Sequence, residues 1–178
     1  MRLNIYLAWA ILIILMYALQ TSLLPYIGYN GVSANLMLLL TVSTAFVHGY
    51  RHGVIMGLIT GLLQDFTTGS YFGCSIFSYM LIGGFFGKFS DRIFKEQLLF
   101  PVLSAPLAAT MYFFIVTVLL FLIGYKVNFL QMIQTILQPL IIYQVAFSWL
   151  VHKVVYDFDK IFKRHTDEKE SAKRGRFS

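Results

Sequence analysis

Between Gly53 and Gly87 glycines recur at four-residue spacing, and the one charged side chain in that stretch is Asp65. Gly53, Gly57 and Gly61 fall on one helix face, Gln64 and Asp65 follow, and Gly69, Gly73, Gly83 and Gly87 continue the spacing. In water each interior glycine weakens a helix by about 1 kcal/mol relative to alanine. In a bilayer, small residues at this spacing let two helix backbones approach closely. A carboxylate at the centre of a spanning helix costs about 2.5–3.5 kcal/mol, less towards its end. Asp65 therefore needs a partner, a watery niche or a proton.

Composition agrees with a membrane setting. Of 178 residues, 58% are hydrophobic and 12% charged, with mean hydropathy +0.71, whereas soluble domains carry about twice that charge. Six apolar segments span about residues 3–24, 34–47, 53–65, 72–89, 98–124 and 128–155, forming a transmembrane domain over 1–156, with a basic tail over 157–178. The first is long enough to cross the hydrocarbon layer and is read as an uncleaved span ended by Pro25. The second and third are short for that task. Pro101 and Pro106 lie in the fifth, and Pro139 is expected to kink the sixth. The tail from Tyr156 is charged, and its first part, with Val154, Val155, Phe158, Ile161 and Phe162, is expected to continue as an amphipathic surface helix before disorder over Ser171–Ser178.

Charge placement orients the spans. With a cytoplasmic N-terminus, thirteen of the fourteen Lys and Arg residues fall in inner loops or the tail, and only Lys126 lies outside. The positive-inside rule then gives an all-α protein of six transmembrane helices with both termini cytoplasmic. The basic residues lie at span ends and in the tail, which speaks against nucleic-acid binding. Lys160, Lys163, Arg164, Lys173, Arg174 and Arg176 are expected at the anionic inner membrane surface instead.

Chemistry-bearing patterns are sparse. Seven of the eight acids lie in inner loops or the tail, leaving Asp65 without a second carboxylate for acid–base work. A capping role is expected for it, accepting N–H groups of the Thr67–Gly69 turn. His48 and His52 are four apart, but Gly49, Tyr50 and Arg51 between them read as a tight turn that separates their faces. His152 and His165 are expected to be solvated. Ser70, Ser75 and Ser78 lack a nearby base and a Gly-x-Ser-x-Gly turn. No phosphate loop, dinucleotide fingerprint or zinc pattern occurs, and the lone Cys74 allows no internal disulfide. No catalytic residue, metal or cofactor is assigned.

The run from Gly57 through Gly61, Asp65, Gly69 and Gly73 to Tyr79, Gly83, Gly84 and Gly87 resembles the rod shape-determining MreD family, as do Asn35 opening the second span and the basic tail. That resemblance implies a non-enzymatic subunit of the bacterial cell-elongation machinery. It would pair with the single-span protein MreC and connect MreB filaments to a peptidoglycan synthase formed by a RodA-type polymerase and a penicillin-binding transpeptidase. It also implies a compact six-helix bundle like the substrate-binding subunits of energy-coupling-factor vitamin transporters. Gly53, Gly57, Gly61, Gln64, Asp65, Gly69, Gly73, Tyr79, Gly83 and Gly87 are the candidate residues for helix packing or for receiving MreC's helix. The alternative is a solute-binding subunit. Its cavity would draw on Gln64, Asp65, Thr67, Thr68 and Asn128, with Gln131, Gln134 and Gln138 on one helical face.

Overall fold

The computed structural model describes residues 2–28, 31–69, 72–89, 99–125 and 129–174, with side chains described outside 2–6, 99–102, 129–130 and 161–174. The described residues are helical, without a β-strand. In chain order they form α1 (Arg2–Ser22), the short α2 (Leu24–Ile27), α3 (Leu36–His48), α4 (Tyr50–Thr68), α5 (Cys74–Phe89), α6 (Leu99–Leu122), the short α7 (Phe129–Met132) and α8 (Gln138–Arg174).

The shortest of the main helices holds the centre. Every residue of α3 from Leu36 to Val47 is buried, and α1, α4, α5, α6 and α8 all pack on it. A helix apolar on all sides belongs inside a bundle. At 13 residues it is about 20 Å long against a hydrocarbon layer of about 30 Å. Because protein surrounds it, lipid thickness does not set its length. Asn35 starts it, with its side chain accepting the Leu38 N–H at 3.0 Å. Gly49 ends it and turns the chain directly into α4.

By length and apolarity, three stretches suffice to cross a membrane: Leu7–Ile27, Leu103–Leu122 and Ile133–Lys160. Leu36–His48 and Cys74–Phe89 are shorter apolar helices. The apolar segment expected to start at Gly53 begins earlier, because Tyr50, Arg51 and His52 form the first turn of the 19-residue α4. Pro25 does not end the first span but sits in the first turn of α2, where its missing N–H costs nothing.

The bend expected at Pro139 takes the form of a π-helical turn over Ile133–Leu137, with the Gln138 N–H reaching the Ile133 carbonyl. Proline has no N–H to continue the ladder and crowds the carbonyl four residues back, and the wider turn relieves both. The basic tail departs from expectation at its end. Its first part continues the helix of the sixth apolar segment, but Ser171–Arg174 are helical instead of disordered, because α8 runs unbroken for 37 residues to Arg174. Residues 175–178 lie outside the described residues.

Candidate functional site

The glycines bring α4 and α5 into backbone contact. A Cβ on Gly53 would meet the Gly83 carbonyl at 2.5 Å, one on Gly61 the Ile76 Cα at 2.6 Å, and one on Gly87 the Tyr50 Cα at 2.5 Å. On Gly57 it would meet the Tyr79 carbonyl. Real Cβ atoms do not sit that close, so these four positions exclude any side chain at this backbone spacing. The partners run in opposite order along the two helices, which makes the pair an antiparallel hairpin. Gly69 and Gly73 serve another purpose and carry no packing. Their φ angles are +65° and +101°, with nothing near a hypothetical Cβ, so they supply the left-handed turn between the helices.

Asp65 holds that turn from inside, at 1% exposure. Its carboxylate does not accept from the Thr67–Gly69 turn as expected. It accepts the N–H of Gly73 at 2.7 Å, of Ser75 at 3.0 Å and of Ile76 at 3.3 Å. These include first-turn donors of α5, which have no partner inside their own helix. The aspartate near the end of α4 thus caps the following helix, and its negative charge faces the positive end of the α5 dipole.

Other buried polar groups gather at the same end of the bundle. Asn35 Nδ2 donates to the Tyr79 hydroxyl, and Tyr79 is fully buried beside Tyr112, which hydrogen-bonds Ser75. Gln144 of α8 donates to the Asn35 carbonyl at 3.4 Å. Gln20 of α1 donates to Gln64 at 2.6 Å and accepts the Met37 N–H at 3.0 Å. Five helices besides α1 are therefore tied through Asp65, Asn35 and Tyr79, and Gln20 adds the sixth. These groups bond one another, while the buried Oε1 of Gln144 has no hydrogen-bond partner among the described residues.

The opposite end is aromatic. Trp9 of α1 meets the rings of His48 and Phe158 edge-on, each at 5.4 Å between centroids. His48 Nε2 donates to Asp159 of α8 at 3.0 Å. The rings of His48 and His52 also lie 5.4 Å apart, and His52 Nδ1 bonds the His48 carbonyl at 3.1 Å. The turn at Gly49 was expected to separate these histidines, but it brings them together. No group of three metal-ligating side chains exists among the described residues. Between this end and the polar one, α1 stands away from α4 and leaves a trough of about 780 Å³.

A model of the family described as rod shape-determining protein MreD matches residues 1–161. The chain belongs to the MreD family. No curated protein and no solved structure matches it. Membership gives it a role in rod shape determination, in a family of structural membrane proteins, and the apolar helices fit a membrane location. The MreD match covers every main helix and ends inside α8, short of its last turns.

Several expected residues fall elsewhere than the sequence suggested. His152 is buried at 2% exposure, not solvated, on the stripe of α8 that also carries Gln144, Ser148, Val151 and Val155. Gln131, Gln134 and Gln138 are exposed, so the glutamine that enters the core is Gln144. Thr67 and Thr68 are exposed as well. Lys160 is exposed at the foot of the span. The side chains of Lys163, Arg164, His165, Lys173 and Arg174, together with Ser70, Asn128 and Arg176, lie outside the described residues. Gln20 and Gln144 went unnoticed, yet each is a lone amide in an apolar run, the same signal that singled out Asp65. The trough has no such signal, because it depends on where α1 stands.

Proposed function

We propose that this chain is a six-span membrane scaffold with both termini in the cytoplasm, which holds the single transmembrane helix of MreC and links MreB filaments to the peptidoglycan synthase. The family match is the observation that carries this reading. The bundle supports it physically. Its buried carboxylate, amides and phenols are engaged in capping helices and tying them together, which makes a rigid body with apolar outer faces such as Leu103, Leu107, Phe114 and Phe121 of α6.

The glycine ladder contributes indirectly. Gly53, Gly57, Gly61, Gly83 and Gly87 fuse α4 and α5 into one unit, so MreC's helix meets a different face from the one these residues cover. Thirteen of fourteen basic residues on the cytoplasmic side fit the orientation. Each basic residue of the tail adds about 1 kcal/mol of attraction to an anionic leaflet, and the long α8 carries that charge towards cytoplasmic partners such as MreB. The test is affinity purification of the tagged chain from native membranes in mild detergent. MreC, the RodA-type polymerase and the penicillin-binding transpeptidase are expected to accompany it. Absence of MreC from a monodisperse, folded preparation rejects the reading.

A further inference from the structure

The trough between α1 and α4 is walled by Ile13 and Ile14 on one side and by Ile55, Leu58, Ile59 and Leu62 on the other. Its polar lining is confined to one end, where Thr44 and His48 come from the last turns of α3 and His52 from the first turn of α4. Such a space, open along the outside of a membrane bundle, does not fill with water, because its walls offer nothing to hydrogen-bond over most of their length. What fills it is hydrocarbon with a polar group at one end.

Charge decides what that group is. Arg51, which precedes the lining residue His52 in the first turn of α4 and does not itself line the trough, is exposed. Of the two described acids on α8 at this end, Asp159 accepts from His48 at 3.0 Å and is only 12% exposed, and Asp157 is exposed. His52 is held in place by its Nδ1 contact with the His48 carbonyl. In the orientation of the proposed function this end faces the cytoplasm. A partner's spanning helix brings Lys and Arg to that flank and would be repelled, whereas inner-leaflet lipids bring negative phosphates. Trp9 stands at the same level, where indole rings favour the headgroup region.

We infer that the trough holds an anionic phospholipid, with an acyl chain along its apolar walls and the phosphate at Arg51 and His52. The inference uses the membrane orientation of the proposed function but not its partners. Removing one basic side chain near an anionic headgroup is expected to weaken binding roughly fivefold.

The experiment is native mass spectrometry of the full chain from micelles containing equimolar phosphatidylglycerol and phosphatidylcholine with identical acyl chains. Wild type is expected to retain phosphatidylglycerol at least roughly fivefold over phosphatidylcholine. The Arg51→Gln/His52→Gln variant is expected to retain both lipids equally. Ile59→Trp, or Leu58→Trp should the first misfold, is expected to lose both lipids by filling the trough. Equal retention by wild type, or an undiminished preference in the Arg51/His52 variant, overturns the inference. So does an Ile59→Trp variant that keeps its lipid preference while losing MreC, because the trough would then seat a helix. Loss of MreC from wild type bears on the scaffold alone, so the two readings fail separately.

Discussion

The two faces of α4 solve opposite problems with neighbouring residues. Gly53, Gly57 and Gly61 lie against α5 with no room for a Cβ. Ile55, Leu58, Ile59 and Leu62, roughly half a helical turn away, face a gap of about 780 Å³. Both faces are uncharged, so a hydropathy profile does not tell them apart. What separates them is side-chain size. Small residues let peptide backbones touch, and branched ones hold a neighbouring helix at a distance. In this bundle α1 is fastened to α4 near the polar end by the Gln20–Gln64 and Tyr17–Thr67 hydrogen bonds, and at the other end it leans on His48 through Trp9. Between those fastenings the bulky row keeps it away.

The strongest way to break the contrast is to give the glycine face a side chain. Gly57→Leu puts a branched chain where the backbone of Tyr79 and Met80 already sits. The two helices have to separate, and because α3 packs on both of them, its core contacts go with them. Overpacking of a close contact costs about 1–3 kcal/mol where neighbours can move. Here the neighbour is backbone, so the loss should exceed about 3 kcal/mol. The readout is a large fall in Tm in a fixed detergent, or failure to accumulate in the membrane. A variant with wild-type Tm would show that α4 and α5 are not in backbone contact.

The second test acts on the turn that joins the two helices. Asp65→Asn keeps the size of the side chain but replaces one accepting oxygen with an N–H donor, which then faces the amides of Gly73 and Ile76 or that of Ser75. At least one buried donor is left without a partner, at about 1–3 kcal/mol, and the favourable charge at the α5 N-terminus is lost. A drop in Tm smaller than that of Gly57→Leu is expected. An unchanged Tm would mean that the cap contributes little to the hairpin.

Much of this was legible before the fold was known, and the gaps have physical causes. The glycine spacing announces close packing, because few other arrangements reward three glycines in register. The lone carboxylate announces a need for partners. The sequence does not say which helix a short-range cap serves. Asp65 reaches forward across Gly69 and Gly73 instead of to its own turn, a matter of the left-handed path those glycines permit. His152 reads as solvated from its basic neighbours, yet the helical stripe through Gln144, Ser148 and Val155 turns it inward. The three glutamines at 131, 134 and 138 share a face only on a regular α-helix, and the π-helical turn at Ile133–Leu137 interrupts that register. The trough depends on the placement of α1, which involves contacts far apart in sequence, such as Gln20 with Gln64.

The mildest test lies one residue from the severest. Leu58 follows Gly57 in the chain, but it is 45% exposed and lines the trough. Leu58→Ala removes apolar atoms that touch lipid or an acyl chain in the folded protein, and lipid again when the helices separate within the membrane. The hydrophobic term that makes core truncations costly in water is therefore nearly absent, and no closed cavity is left behind because the site is open. The expected change is within about 0.5 kcal/mol, the ordinary range for surface substitutions, and Tm should stay close to wild type. A loss comparable to that of Asp65→Asn would mean that α1 closes directly over Leu58 and that the two faces of α4 are packed alike.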